Sequence, residues 1–331
     1  MSTPIPSLAP RIIVAGTGFK VIREHLAAEL QPLHLEMIEV DELRVHGAAA
    51  EILLPCMARI DGALMDRIAG LRLIQQWGAG LEGVDIEAAT ARRIAVANVP
   101  TAGTGNAESV AEWCVMAAIA ISRRLSLAVR NIERGGGWGE PAGRALLGRT
   151  AGIVGLGGIG QALAARLRPF GMHLIAIQRR PDQELAARLG LEWIGAPEQL
   201  AELLRRSDYL FLCIPQTPQT RGLIDAAALA LLPDQACIIN AARGGLLDAG
   251  AMLRALDSGR LLGVATDVFA GEPLDPASPL LRRADVLATP HIAGVTDVSY
   301  RGIARAVADN IRRLCAGLTL CNCVNPSSRA A

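Results

Sequence analysis

Short β-branched runs alternate with amphipathic stretches through the first hundred residues. Arg11–Ala15 (RIIVA) predicts a strand, residues 21–30 a helix and residues 35–40 a second strand. Ile52–Leu54, residues 71–75 and residues 94–97 predict three more short strands. Alternation of this kind builds a parallel sheet with helices on its faces. Residues 106–124 then read as one long helix, too apolar to be solvated on most sides and expected to lie buried between two lobes. Residues 134–143 (RGGGWGEPAG) form a breaker cluster, suited to a hinge or a partner-contacting segment.

The pattern restarts at Thr150. Strands are expected at residues 151–155, 173–178 and 209–214, at Ala236–Asn240, at residues 262–265 and at Val286–Ala288. Helices are expected at residues 160–168 and 182–189, and again at 298–315, before a polar tail. The expected fold is therefore α/β, with two doubly wound lobes. The last segment crosses back to the first lobe and makes it discontinuous. The expected boundaries are residues 1–104 plus 295–331 for one lobe and 105–294 for the other.

Composition narrows what such a chain can do. Its 331 residues suit two domains of ordinary size. Aromatics make up only 3%, so the core must come from Ala, Leu, Ile and Val. Lys+Arg total 33 against 32 Asp+Glu, and this near balance argues against a nucleic-acid partner, which calls for a basic excess on one face. Lys20 is the single lysine and sits in no phosphate-loop or Schiff-base setting, so each arginine must be argued from its position. Cysteines 56, 114, 213, 237, 315, 321 and 323 lack paired zinc spacing, and no metal is expected. Only Cys321 and Cys323 lie close together; several of the others read as small hydrophobes in a reducing cytosol. The opening MSTPIPSLAPR lacks the charged and apolar parts of a secretory signal. The longest uncharged apolar run, residues 113–121, falls far short of the roughly 20 residues a membrane span needs. A cytoplasmic protein without a membrane partner is expected.

Gly155-Leu156-Gly157-Gly158-Ile159-Gly160 follows a β run and opens a helix. In that context the first glycine permits the tight turn and the second lets the backbone approach a pyrophosphate. The third allows helix to pack on strand, with the anion at the helix N-terminus. A glycine-rich turn without a ligand is the bland alternative. An upstream turn, Gly16-Thr17-Gly18-Phe19-Lys20-Val21, lacks the third glycine and reads as structural. The next strand carries neutral Gln178 where an NAD site places Asp or Glu, followed by Arg179 and Arg180. Two guanidiniums suit a 2′-phosphate, so NADP is expected over NAD. The alternative leaves the arginines solvated and gives the ribose to Asp182.

Three later segments place polar residues at strand ends, where open α/β sheets bind ligands. They are Asn240-Ala241-Ala242-Arg243, Thr266-Asp267 with Glu272-Pro273, and Thr289-Pro290-His291. Singly, Arg243 could be a surface cation, Glu272-Pro273 a turn and His291 a capped loop residue. In this order behind a dinucleotide loop, the sequence from about Leu71 to Asn325 resembles the D-isomer-specific 2-hydroxyacid dehydrogenase family. Its pattern is most similar to the glyoxylate/hydroxypyruvate and hydroxyphenylpyruvate reductases.

The resemblance implies an enzyme that reduces a small 2-keto acid to the D-2-hydroxy acid with NAD(P)H. It implies a Rossmann dinucleotide-binding domain and a flavodoxin-like substrate domain. By the same resemblance Arg243, Glu272 and His291 are the catalytic set, and Asp267 faces the nicotinamide carboxamide. Cys213, Pro215 and Thr220 would line the adenosine and phosphate side, and the amides of Ala79 and Gly80 would hold the substrate carboxylate. The residue types suit this chemistry. The planar fork of Arg243 can orient a carboxylate and polarise a carbonyl. His291 can donate a proton to the developing alkoxide while Glu272 holds its other nitrogen. A homodimer through the nucleotide domain is also implied, and the helix at 106–124 and the Trp138 loop are compatible with it.

Formate dehydrogenases of the family carry Gln at the position of Glu272. Phosphoglycerate dehydrogenases use basic residues in the first-lobe loop and carry a C-terminal regulatory extension. Here that loop is Leu54-Pro55-Cys56-Met57-Ala58-Arg59, largely apolar, and no such extension is read. A non-phosphorylated, glyoxylate- or hydroxypyruvate-type substrate is therefore expected, with ordinary packing as the bland reading of Cys56 and Met57. The alternatives are a D-3-phosphoglycerate dehydrogenase-like activity or a non-catalytic dinucleotide-sensing protein.

Overall fold

The structure, a computed structural model, describes residues 9–17 and 20–325. Gly18 and Phe19 of the upstream glycine turn lie outside the described residues, as do residues 1–8 of the N-terminal segment and 326–331 of the tail. The chain divides into two compact units, Met1–Asn106 with Asp297–Ala331, and Ala107–Thr296.

Among the described residues the first unit carries seven strands: β1 (Arg11–Ala15), β2 (His34–Ile38), β3 (Ala48–Ala49), β4 (Ile52–Leu54), β5 (Ile68–Ala69), β6 (Leu73–Gln75) and β7 (Ala95–Ala97). Five make a parallel sheet in the order β2-β1-β4-β6-β7, and β3 and β5 form a separate two-residue pair. Counting only the sheet's own strands, this is the 2-1-3-4-5 order of a flavodoxin-like fold. Alternate residues serve opposite faces. Ile12, Val14, Ile52, Leu54 and Leu73 enter one apolar cluster, whereas Ile13, Leu53, Ile74 and Val96 enter the other. Helix Asp297–Cys315 supplies Ile303, Ala304, Val307 and Ile311 to the first cluster, which makes the discontinuous segment part of this core. Buried Asn310 locks it there, donating to Gln75 Oε1 (2.8 Å) and accepting from the Cys321 amide (2.8 Å). Asn325 accepts from the amide of Val96 and donates to the carbonyl of Ile94, so the segment read as a polar tail is tied down through residue 325.

One strand expectation needs correction. Residues 35–40 divide, because Val40 opens helix Val40–His46. Asp41 and Glu42 load its first turn and Arg44 and His46 its last, which complements the helix dipole and outweighs a short apolar alternation. Other ends move by only one or two residues.

The second unit continues with β8 (Thr150–Val154), β9 (His173–Ile177), β10 (Trp193–Gly195), β11 (Tyr209–Leu212), β12 (Ala236–Asn240), β13 (Leu261–Thr266) and β14 (Val286–Ala288). All pair in parallel, in the order β10-β9-β8-β11-β12-β13-β14. This is the 3-2-1-4-5-6 Rossmann order with one added strand. Near-continuous apolar strands again split between two faces: Ile153, Ala176, Phe211 and Ile239 on one, Val154, Ile177, Leu212 and Ile238 on the other. Helix Asn106–Ser122 joins the first of these clusters through Ala111, Cys114, Ala117 and Ile121, while Met116 and Ile119 stay exposed. A helix the pattern did not predict, Leu125–Glu133, follows it and buries none of its residues.

Candidate active site

The sheet order reverses at β8, between β9 and β11, and the glycine turn leaves β8 at that point. Gly155 has φ +99°, and a Cβ there would lie 2.5 Å from Ile214 Cγ2 and 2.8 Å from the Cys213 carbonyl oxygen. A Cβ on Gly160 would fall 2.0 Å from the Gly155 carbonyl oxygen, so helix Gly158–Leu167 packs directly on the turn. A Cβ on Gly157 would meet nothing within 4 Å, and Gly157, at the N-cap, supplies no side-chain cap. Two glycines are thus required by the protein itself, while the middle one faces open space beside unspent helix N–H groups. These residues fit a dinucleotide pyrophosphate.

Gln178 follows β9 and donates its amide to the Gly195 carbonyl. Its Oε1 is buried without a hydrogen-bond partner among the described residues, which is costly unless a ligand supplies a donor. Arg179 and Arg180 are exposed, and neither forms an ion pair among the described residues. Asp182 is the N-cap of helix Gln183–Leu189, where it accepts from the Leu185 amide at 3.0 Å. After β11, burial pushes the Cys213 thiol up to about 12, so it serves as a neutral wall. Thr220 Oγ1 donates to the Pro215 carbonyl (3.0 Å) and accepts from the Thr217 amide (2.7 Å), which shapes residues 215–220 into a closed turn.

Arg243, Glu272 and His291 leave the ends of β12, β13 and β14. Buried Asn240 shapes the first loop by donating to the Arg243 carbonyl (2.9 Å) and accepting from the Ala242 amide (3.1 Å). Arg243 is half-buried and its Nη1 donates to the Ala242 carbonyl at 2.6 Å. Glu272 Oε1 accepts from the Phe269 amide at 2.8 Å, and Oε2 lies 2.7 Å from His291 Nδ1. Burial raises the Glu272 carboxyl, but hydrogen bonds from His291 and Phe269 and the charges of His291 and Arg243 outweigh it and hold the group below its ordinary value. The structure therefore brings the three together electrostatically, with Glu272 in the middle. A Cβ on Gly244 would lie 1.9 Å from the Phe269 carbonyl carbon, so the loops carrying Arg243 and Glu272 touch backbone to backbone.

Asp267 meets this trio through the backbone, its carbonyl accepting from the His291 amide at 2.9 Å. It is 1% exposed, and its carboxylate accepts from Thr289 Oγ1, Ile292 N and Ala293 N. Asn240, Gly244 and Thr289 escaped the residue-by-residue reading. Asn240 and Thr289 had stood out only as polar ends of apolar strands.

In the first unit, Ala79 and Gly80 belong to a turn after β6. Its carbonyls are all engaged: Gly78 by the Val99 amide, Ala79 by Asn98 Nδ2 and Gly80 by Gln76 Nε2. The amides of Gly78, Ala79 and Gly80 have no partner among the described residues. A turn with satisfied acceptors and free donors suits an anion. Gln76 also donates to the Cys56 carbonyl (3.0 Å), which ties residues 55–59 to the same turn and leaves Met57 exposed beside it.

A sequence profile described as D-isomer specific 2-hydroxyacid dehydrogenase, NAD binding domain, matches residues 115–293. The chain is 34% identical to D-3-phosphoglycerate dehydrogenase of Mycobacterium bovis over 98% of its length, and spans 59% of that protein. It is 33% identical to glyoxylate/hydroxypyruvate reductase B of Escherichia coli O9:H4, covering 92% of this chain and 93% of that one. Among solved structures, the apo form of D-lactate dehydrogenase from Escherichia coli is similar with a TM-score of 0.83 at 25% identity, covering 95% of this chain and 99% of that one. The TT0316 protein of Thermus thermophilus gives 0.80 at 31%, covering 95% and 99%.

Proposed function

The chain belongs to the D-isomer-specific 2-hydroxyacid dehydrogenase family, and from that premise we propose that it reduces a small, non-phosphorylated 2-keto acid to the D-2-hydroxy acid, using NADPH in preference to NADH. One observation carries the reading: His291 Nδ1 is held 2.7 Å from Glu272 Oε2, which leaves Nε2 as the ring's proton donor. When bound, the reduced nicotinamide would supply the hydride to the carbonyl carbon. His291 gives the Nε2 proton to the oxygen as it becomes an alkoxide, and the ring regains a proton from solvent. Glu272 fixes the ring and balances its charge. Arg243 polarises the carbonyl and orients the adjoining carboxylate. The free amides of Ala79 and Gly80 suit a substrate carboxylate as well.

The cofactor preference rests on Gln178, Arg179 and Arg180. No carboxylate stands at the ribose position to repel a 2′-phosphate, and two unpaired guanidiniums follow it. The substrate preference rests on the apolar stretch of residues 54–58 with exposed Met57, and on the prior commitment of the Gln76 amide. We also propose a homodimer through the second unit. Helix Leu125–Glu133 presents Leu125, Val129 and Ile132 to solvent, beside a groove of about 800 Å³ lined by Val115, Met116, Ile119 and Phe170. Seven unpaired cysteines fit a cytosolic setting.

Oxidation of D-3-phosphoglycerate is the second reading, favoured by the name of the Mycobacterium bovis relative. A spectrophotometric panel decides between them. NADPH and NADH are each offered glyoxylate, hydroxypyruvate, pyruvate and phenylpyruvate, and NADP⁺ and NAD⁺ are offered D-3-phosphoglycerate. The proposal expects turnover with a keto acid and a higher kcat/KM for NADPH. Turnover confined to phosphoglycerate would reverse the substrate reading, and a preference for NADH would reverse the cofactor reading. Tight cofactor binding without turnover would identify a sensor.

A further inference from the structure

We propose that Asn98 is the positioning residue of the anion-binding turn in the first unit, aiming the Gly80 amide outward by holding the carbonyl of the same peptide. The inference rests on the reading of the Ala79 and Gly80 amides as holders of a substrate carboxylate. A trans peptide is planar and sends its N–H and C=O in opposite directions, so whatever fixes one fixes the other. Three successive carbonyls of the turn each accept from one donor. The Val99 amide donates to the Gly78 carbonyl at 2.9 Å, Asn98 Nδ2 to that of Ala79 at 2.8 Å and Gln76 Nε2 to that of Gly80 at 2.6 Å. By planarity these bonds aim the amides of Ala79, Gly80 and Leu81, and none of the three has a partner among the described residues.

The turn needs this clamp because its backbone permits the opposite arrangement. Rotating the 79–80 peptide changes ψ of Ala79 and φ of Gly80, and glycine accepts either sign of φ at little steric cost. Turned over, that peptide would present the Ala79 carbonyl, which repels a carboxylate. Asn98 stands where it can prevent this. It follows β7, whose Ala97 carbonyl accepts from the Gln76 amide at 2.8 Å, so the ladder is in register up to the turn. Asn98 and Val99 then supply a side-chain donor and a main-chain donor to adjacent carbonyls. The segment at 322–323 backs them: Ala97 bridges Cys323, and the Asn98 amide donates to the Asn322 carbonyl at 3.4 Å. Only a donor serves at this position. A carboxylate of the same shape would face the Ala79 carbonyl with acceptors and draw the Gly80 amide to itself. Gln76 is a less clean probe, since it also donates to the Cys56 carbonyl and accepts from the Trp77 amide.

Asn98→Ala and Asn98→Asp test the inference. With the keto acid that the panel identifies, Asn98→Ala is expected to raise KM about tenfold and Asn98→Asp about 100-fold. kcat at saturation should stay within about threefold and the cofactor Kd within about twofold, the split that marks carboxylate binding lost equally from ground state and transition state. A merely structural role would instead lower kcat and the melting temperature and would not rank the two variants. A crystal structure of Asn98→Asp is expected to show the 79–80 peptide turned over, with the Gly80 amide donating to the introduced carboxylate. That readout needs no turnover. A wild type that turns over nothing in the panel refutes the activity reading, and the crystal structure then decides the inference alone. Wild-type KM in both variants, or an unturned 79–80 peptide in Asn98→Asp, overturns it. If Asn98→Asp does not fold, Asn98→Ala decides: a KM within about twofold of wild type overturns the proposal.

Discussion

Gly244→Ala isolates how closely the loops carrying Arg243 and Glu272 must approach. The added Cβ would lie 1.9 Å from the Phe269 carbonyl carbon, 2.3 Å from its oxygen and 2.4 Å from the Ala270 nitrogen. All three are backbone atoms, so no rotamer change relieves the clash. Ordinary contact begins near 3.4 Å, so one loop must retreat by roughly 1.5 Å. The retreat moves the 269–272 segment that carries Glu272, and with it the partner of His291, away from Arg243. Misplacement by about 1 Å costs on the order of 100-fold in rate, or about 2.7 kcal/mol of transition-state stabilisation. The assay is steady-state reduction of the best keto acid at saturating NADPH, with the cofactor Kd and the melting temperature measured alongside. kcat should fall about 100-fold while the Kd changes little, because the 155–160 turn is untouched. Gly271→Ala serves as the control, since a Cβ there meets nothing within 4 Å. A kcat within threefold of wild type for Gly244→Ala, with an unshifted melting temperature, would refute the claim that this contact sets the geometry.

Gly160→Ala places a Cβ 2.0 Å from the Gly155 carbonyl oxygen and should cost about 1–3 kcal/mol by denaturant melt, together with dinucleotide affinity; an unchanged melt contradicts the packing argument. Glu272 is held below its ordinary carboxyl value of 4.5, so the native state gains from its ionisation above that pH and loses the gain as pH falls through the lower native value. The melting-temperature gap between wild type and Glu272→Gln should therefore be constant near neutrality and narrow below pH 4.5; a gap independent of pH would mean the Glu272–His291 pair adds no stability. Ile132→Asp puts a charge on a side chain that is 74% exposed, so it should leave the far-UV circular dichroism unchanged while shifting the mass by light scattering toward one copy; a mass equal to that of wild type removes this helix from the proposed interface.

What the sequence made legible follows from which forces act locally. Continuous apolar runs such as RIIVA and the 236–240 strand were readable because both faces of a parallel sheet are buried. The Gly155–Gly160 turn was readable because its glycines answer to backbone geometry within six residues. Helix Leu125–Glu133 was missed although Leu125, Val129 and Ile132 recur at helical spacing, because its nine residues follow the longer helix with no glycine or proline to mark a new start. Residues 35–40 were misread at their end because charge at the termini of helix Val40–His46, rather than hydrophobicity, decides where it starts. Within the site, Arg243, Glu272 and His291 were visible as a family pattern. The bonds that aim them, from Asn240 and Thr289 and through the bare backbone of Gly244, join strand ends far apart in the chain and leave no local spacing to read.

The two units repeat one motif and use it differently, and a single position separates the uses. In each, a strand ends in a glycine with positive φ whose amide bonds the last residue of the neighbouring strand: Gly16 to Ile38 in one, Gly155 to Ile177 in the other. The next residue is Glu39 in the first unit and Gln178 in the second. Glu39 turns back on its own glycine turn and takes both the amide and the hydroxyl of Thr17, which lower its carboxyl from the ordinary range. Donors that could have met an anion are thereby spent on the protein's own carboxylate. Gln178 makes no such bond, its buried oxygen stays unpartnered, and the turn before it keeps an open middle glycine. In the upstream turn, read as structural for its missing third glycine, the amide that the described residues show engaged by a side chain is that of Thr17. A glycine turn suits a phosphate when the neighbouring strand end leaves its amides unspent, as Gln178 does beside the 155–160 turn, whereas the amide of Thr17 is committed to Glu39.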